Sequence, residues 1–313
     1  MRSGTTDDRL VGGRYRLGEH LGSGGMGTVW CGRDELLERD VAVKEVVIPD
    51  GMPQVEGDKL RQRYLREARA AARLRHAHAV GVYDVLPEAG RVWIVMEYVE
   101  AKNLADVVRD TGPLSPQRAA QMGRHLLDAL TAAHAAGVLH RDVKPANVLL
   151  SEDRTVLTDF GVASVAGDPS LTGTGQVIGS PAYLSPERLM GQPAGPPSDL
   201  WSLGCTLYAA VEGAPPFLRD EPFAVITAIT LEPVPPPRRA GHLAPVLAGL
   251  LEKDPAQRWD AARTRAALDR VAAGQAVEAT AGWGSPASPD QDDTLRVPSE
   301  RPPSPEATAP ISG

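Results

Sequence analysis

From residue 140 the chain reads His140-Arg141-Asp142-Val143-Lys144-Pro145-Ala146-Asn147-Val148-Leu149-Leu150, answered shortly afterwards by Asp159-Phe160-Gly161. Carboxylates, a lysine and an amide are crowded together there, bracketed by the apolar runs Val148-Leu149-Leu150 and Val156-Leu157, which read as paired strands. This donor set meets the needs of phosphoryl transfer from a metal-nucleotide complex. Asp142 can accept a hydroxyl proton, Lys144 can neutralise a transferring phosphate, and Asn147 with Asp159 can hold hard cations through oxygen.

At 313 residues and 33.2 kDa the chain has material for one large or two modest domains with a buried core. The net charge of −7 and the lack of a lysine- or arginine-rich run argue against a nucleic-acid surface or a polybasic membrane anchor. Cys31 and Cys205 are the only cysteines, without a C-x-x-C or a Cys/His cluster, which speaks against zinc and fits a reducing compartment. His76 and His78, two apart, are read as loop residues rather than metal ligands. The polar start lacks a signal-peptide segment, and no apolar stretch of about 18 residues occurs, so the expected setting is cytoplasmic.

Upstream, Gly22, Gly24 and Gly27 fall on G-x-G-x-x-G-x-V, closed by Val29. Thr28-Val29-Trp30-Cys31 reads as a second strand, which favours a hairpin over a dinucleotide-binding strand-to-helix turn; a hairpin that is merely flexible is the alternative. Lys44 interrupts the apolar strand Asp40–Ile48, and a lone buried ammonium requires an anionic partner. A helix is expected over 59–74, with Glu67 as the best partner for Lys44 and Glu56 or Asp58 as rivals at or before the helix start; Glu67 could instead pair with nearby arginines. Residues 79–85 and 91–98 alternate as strands, after which helical spacing takes over. A short helix starts at Asn103, Ser115-Pro116 caps one over 117–136 that ends at Gly137, another begins near Ser198, and the last runs from about 255 to 273.

In this order, the glycine loop, the lysine strand, the helix acid, H-R-D-x-K-x-x-N, D-F-G and Ser185-Pro186-Glu187 resemble the bacterial eukaryotic-like (Hanks-type) serine/threonine protein kinases. The resemblance covers about residues 10 to 273. It implies an α+β, two-lobed protein kinase-like fold: a flexible leader over 1–9, an antiparallel-sheet N-lobe over 10–99, a mainly helical C-lobe over 100–273, and a disordered tail over 274–313. By the same resemblance, Leu21, Gly22, Ser23, Gly24, Gly25, Met26, Gly27, Thr28 and Val29 would cover the nucleotide, Ala42 would line its pocket, and Lys44 with Glu67 would position its phosphates. Met96 would be the gatekeeper and Glu97 to Val99 the hinge that meets adenine. Asp142 would act as base, Lys144 as charge stabiliser, and Asn147 and Asp159 as metal ligands. ATP with Mg²⁺, or Mn²⁺ in its place, is the implied cofactor set, and protein hydroxyls are the implied acceptors. Asp199 would brace the catalytic loop, and Glu187 would pair with Arg258. Both could also be ordinary helix-start and surface charges.

Between Asp159 and Glu187 glycine, serine and threonine predominate. A phosphate on Thr172 or Thr174 would give Arg141 a charge-assisted partner, although both threonines could be plain spacers. Ser180 stands where the family usually has threonine, and Ser185 stands where it usually has alanine. From Gly274 onward seven prolines and six acids against two arginines leave too little apolar surface to bury. Within that tail Thr294 follows Asp290-Gln291-Asp292-Asp293 and resembles a site for a phosphothreonine-binding partner. Related kinases pair through the N-lobe, but no residue here establishes a homodimer. A pseudokinase and a small-molecule phosphotransferase are the competing readings.

Overall fold

The structure, a computed structural model, describes residues 9–24, 27–48, 51, 53–88, 90–152, 154–160 and 181–278. Strands β1 (Leu10–Val11), β2 (Tyr15–Gly24), β3 (Gly27–Asp34), β4 (Arg39–Val47), β5 (Val82–Glu88) and β6 (Arg91–Glu97) form an antiparallel sheet in the order β1-β2-β3-β4-β6-β5. β4 reads as a nearly unbroken apolar run because both of its faces are covered. By the two-residue repeat Val41 and Val43 turn to one side, where they pack with Tyr15, Leu17, Trp93 and Val95. Ala42 and Val46 turn to the other and meet Tyr64, Leu65 and Ala68 of helix α1 (Gln54–Ala71). Lys44 belongs to this second face, with Val29 and Ile94 in register on either side. In the β2–β3 hairpin Gly27 has φ +131°, and a Cβ there would be driven into the carbonyl of Glu45. That glycine lets β3 lie against β4.

The second part is helical around α5 (Pro196–Glu212), which is buried from Ser198 to Val211. The other helices are α2 (Leu104–Thr111), α3 (Pro116–Ala135), the single turn α4 (Pro186–Leu189), α6 (Pro222–Leu231), α7 (Ala244–Leu250) and α8 (Ala261–Ala272); α2, α3 and α7 pack on α5, and α8 packs on α3 and α7. Side-chain caps set the starts of α2, α3 and α8. Asn103 accepts from the Asp106 N–H at 2.8 Å, Ser115 from Arg118 at 3.3 Å, and Asp260 from Arg263 at 2.8 Å. A small sheet, β7 (Lys102–Asn103), β8 (Val148–Leu150) and β9 (Thr155–Leu157), carries the chain away from the catalytic loop. Its alternation matters: Val148 joins the helical core, while Leu149 and Val156 join the cluster beneath β4.

Two helix boundaries differ from the sequence expectation. α1 begins at Gln54 rather than near residue 59, so Glu56 and Asp58 lie inside it, and Glu56 sits in the first turn, where an acid favours the helix dipole. The last helix begins at Ala261 rather than near 255. The Asp254 carbonyl accepts from the Gln257 and Arg258 N–H groups in a turn, and the Trp259 N–H reaches the Gly249 carbonyl before Asp260 caps the helix.

That turn aims Arg258 at Glu187. The two make a bidentate pair at 2.8 and 3.0 Å, and Ser198 donates to the same carboxylate at 2.8 Å. Neither ion faces water, so each needs the other. Arg258→Ala is expected to lower unfolding free energy by about 3–5 kcal/mol in urea titration, by leaving Glu187 buried and unpaired. Ser185 is fully buried, and its hydroxyl has no hydrogen-bond partner among the described residues. Ser185→Ala is therefore expected to raise stability by about 1 kcal/mol in the same titration.

Candidate active site

The segment from His140 to Lys144 belongs to no helix or strand, yet its backbone is held group by group. Asp199, at the start of α5, accepts from the His140 N–H at 2.9 Å through one oxygen and from the Arg141 N–H at 2.7 Å through the other. His134 from the last turn of α3 lies 2.8 Å from Asp199 Oδ2. Arg188 of α4 donates to the Arg141 carbonyl at 2.6 Å, and the Asn147 side-chain amide donates to the Asp142 carbonyl at 2.8 Å. His140 is buried between these elements. Its Nδ1 lies 3.2 Å from the Asp142 N–H and its Nε2 lies 2.7 Å from the Thr158 carbonyl, which fixes the tautomer with the proton on Nε2. Burial lowers the His140 pKa and so keeps the ring neutral.

Asp142 projects from this frame with one carboxylate oxygen, Oδ2, bonded to Lys144 at 2.8 Å and to the Asn147 amide at 2.9 Å. Its other oxygen has no hydrogen-bond partner among the described residues. The Asn147 side chain makes both of its bonds to Asp142 through Nδ2, and its side-chain oxygen has no partner among the described residues. Asp159 has φ +64° and receives the Lys44 ammonium at 2.7 Å on Oδ1, and its Oδ2 has no partner among the described residues. Burial works to raise the Asp159 pKa, but Lys44 above all, with Lys144, outweighs it and holds the carboxyl below its ordinary value. Two hard oxygens, from Asn147 and Asp159, thus stand beside the acceptor. Among the described residues no group of three or more His, Cys, Asp or Glu side chains forms a metal cage. A donor set this small suits a hard divalent cation that completes its shell with water and substrate phosphates.

Lys44 and Glu67 are not brought together. The expected pairing is corrected by the geometry: Lys44 takes the Asp159 carboxylate, while Glu67 lies 3.3 Å from Arg63 and 3.4 Å from Arg141. In the glycine hairpin Leu21, Gly22 and Ser23 lie on β2 and Thr28 and Val29 on β3. A Cβ at Gly22 would meet open space. Gly25, Met26, Thr172, Thr174, Ser180 and Thr294 lie outside the described residues. At the other end of the cleft, Ala42, Met96, Val29, Val99, Leu149 and Val156 share one apolar cluster drawn from both parts of the chain. The Glu97 N–H donates to the Gly81 carbonyl at 2.8 Å. The Glu97 side chain is gripped by Arg154 at 2.5 and 3.4 Å.

Sequence reasoning misses Leu149, Arg154, Arg188 and His134. Leu149 is within its reach, since strict alternation through Val148-Leu149-Leu150 gives it a face of its own. The other three act through contacts 57, 47 and 65 residues away in sequence, which no local pattern encodes.

The protein kinase domain family matches residues 15–267. The chain belongs to the protein kinase family, in its bacterial Hanks-type serine/threonine branch. The serine/threonine-protein kinase PknB of Mycolicibacterium smegmatis is 42% identical over 287 residues, which is 88% of this chain and 45% of that protein. A probable serine/threonine-protein kinase of Corynebacterium efficiens is 38% identical over 310 residues, 92% of this chain and 46% of its own length. The chain therefore spans less than half of these curated relatives. The crystal structure of a point mutant of the PknI kinase domain from Mycobacterium tuberculosis matches with a TM-score of 0.64 at 27% identity, covering 87% of this chain and 99% of that one. Membership in this family implies use of ATP and a divalent metal. Among the described residues of this kinase domain no helix is long and apolar enough to cross a membrane.

The kinase domain's buried acids also set its pH response. Burial acts to raise the pKa of Asp159, Glu187 and Asp199, but Lys44, Arg258 and His134 respectively outweigh it, so all three lie below their ordinary values. A lowered folded-state pKa means that the unfolded chain binds more protons, so this contribution is complete above the unfolded pKa of about 4 and is lost as pH falls below it. Urea midpoints are expected to be level between pH 7 and about 5 and to drop steeply below about 4, with a shallower drop in Asp199→Asn.

Proposed function

We propose that this chain is an ATP-dependent protein serine/threonine kinase that moves the γ-phosphoryl group of ATP to serine or threonine hydroxyls of proteins, and that it acts in signalling. The observation that carries the reading is Asp142: one oxygen tied to Lys144 and Asn147, the other open, opposite an Asp159 that is ionised by Lys44. The open oxygen orients the acceptor hydroxyl and takes its proton. Lys144 stays beside it as positive charge for the phosphoryl group in flight. Asn147 and Asp159 would hold Mg²⁺, or Mn²⁺ in its place; when bound, such an ion neutralises charge on the β- and γ-phosphate oxygens. The glycine hairpin from Leu21 to Val29 covers the phosphates. Ala42, Leu149 and the Glu97–Val99 hinge receive the adenine. Residues 10–99 and 100–273 serve as the two lobes.

The contacts of Glu67 support a resting arrangement. Arg141 is occupied by Glu67, and Lys44 by Asp159. A phosphate on Thr172 or Thr174, with about −1.5 to −2 charges, competes with Glu67 for Arg141 and releases that acid toward Lys44. The thiols, Cys205 buried and Cys31 half-buried, suit a reducing, cytoplasmic setting. Two partner expectations accompany the reading: pairing of two copies through the sheet-rich lobe, and docking of a phosphothreonine-binding domain at Thr294.

Incubation with Mg-ATP and a casein-like acceptor is expected to label the acceptor and to place phosphate on Thr172 or Thr174 by mass spectrometry. Asp142→Asn is expected to lower the rate by at least about 1,000-fold while nucleotide still binds. Equal labelling by wild type and Asp142→Asn would overturn the assignment, and labelling of small alcohols in preference to protein would redirect it to a small-molecule phosphotransferase.

A further inference from the structure

We infer that Arg188 is a positioning residue for Asp142, an assignment that rests on the kinase reading above. Among the described residues three non-glycine residues have positive φ, and two of them, Arg141 at +68° and Asp159 at +64°, flank the cleft; the third, Glu38, lies in a surface turn. A left-handed conformation at a branched or long residue costs about 1–3 kcal/mol and persists only where the surroundings fix it. At Arg141 the fixing is visible on both sides. The Arg141 N–H is held by Asp199 at 2.7 Å, and the Arg141 carbonyl is held by the Arg188 guanidinium at 2.6 Å.

That carbonyl belongs to the peptide that leads into Asp142. The N–H of the same peptide lies 3.2 Å from His140 Nδ1. One peptide plane is therefore pinned at its oxygen by Arg188 and at its nitrogen by His140, and its orientation sets the direction in which the Asp142 Cα carries its carboxylate. Arg188 is buried, at 6% exposure, so its guanidinium is not a solvated surface charge that happens to lie nearby. Its neighbour Glu187 is anchored to Arg258 and Ser198. Because α4 is a single turn, the anchor at Glu187 fixes where Arg188 starts, and Arg188 passes that placement to the catalytic loop. Lysine at this position keeps a charged donor but loses the planar fork; alanine loses both and leaves the carbonyl without this donor.

The test compares wild type, Arg188→Ala and Arg188→Lys in steady-state transfer from Mg-ATP to a casein-like acceptor, with nucleotide affinity measured separately by fluorescence. Arg188→Ala is expected to lower kcat by about 10- to 100-fold, the scale of an ångström-sized misplacement of a catalytic group, with KM for ATP and nucleotide affinity within about twofold of wild type. Arg188→Lys is expected to recover part of kcat. Hydrogen exchange supplies a readout that does not need turnover: the amides of Arg141 and Asp142 exchange faster in Arg188→Ala, while those of α3 and α5 keep wild-type protection. Wild-type kcat in Arg188→Ala, or a loss shared equally by kcat, nucleotide affinity and protection across α3 and α5, would overturn the inference. If wild type itself transfers no phosphate, the kinase reading fails, and unchanged exchange at Arg141 and Asp142 in Arg188→Ala would then sink the positioning role separately.

Discussion

A carboxylate buried at the start of α5 governs how the rest of the site is built. Asp199 is 1% exposed, and it is kept ionised because His134 and the N–H groups of His140 and Arg141 together outweigh the burial that opposes its charge. A loop that belongs to no ladder must still satisfy its backbone groups, and here side chains do so. Asp199, His140, Arg188 and Asn147 each take one or two groups of the run from 140 to 144. The sequence of that run is thereby released from secondary-structure propensity and can be given over to chemistry. The same crosslinking explains why Arg141 can hold a left-handed φ without being glycine. It also makes α5 the reference frame, since α5 is buried along nearly its whole length and moves least on physical grounds.

Charge in the cleft is arranged so that each cation has two claimants. Lys44 has Asp159 in hand and Glu67 on the facing helix, while Arg141 has Glu67 in hand and, under the proposal that Thr172 or Thr174 is phosphorylated, a phosphate as its stronger alternative. An anion with about −1.5 to −2 charges attracts a guanidinium more strongly than a carboxylate does at equal distance, in the ratio of the charges. The Arg141–Glu67 pair is partly exposed, at 30% and 16%, so solvent weakens it further. The exchange of partners therefore runs toward the phosphate once one is present, and no buried ion is left alone during the exchange.

Much of this molecule is legible without coordinates. Strands β2 to β6 follow from two-residue alternation and α2 and α3 from their caps, while the residues proposed for the chemistry stand out by their crowding just before β8, answered by Asp159 after β9. What fails has physical causes. The sequence expectation starts α1 too late because it puts Glu56 and Asp58 before or at the helix start, whereas the helix takes them in. It starts the last helix too early because Asp254-Pro255 opens a turn whose Trp259 bonds back to Gly249, a tertiary contact that outranks local propensity. The pairing of Lys44 with Glu67 is correct in requiring an acid for a buried ammonium. Which acid it takes depends on the rotation of α1 and the backbone of Asp159, and neither is written in the local sequence.

The two lobes are joined in two chemically different ways, and the difference bears on motion. Behind the hinge, Arg154 bonds Glu97 and the Ala77 carbonyl, and Val80 and Leu157 join the loop after α1 to β9 through backbone bonds of 2.9 Å. Those backbone bonds lie within the apolar packing of Val80, Val156 and Leu157, where breaking one leaves an unsatisfied group. At the front, the link consists of Lys44 with Asp159 and Glu67 with Arg141, ion pairs with alternative partners within the same cleft. Opening at the back would strip hydrogen bonds from buried groups, whereas rearrangement at the front exchanges one carboxylate for another. Closure of the cleft is therefore expected to pivot about the β9 side and to be read out in the partners of Lys44 and Arg141.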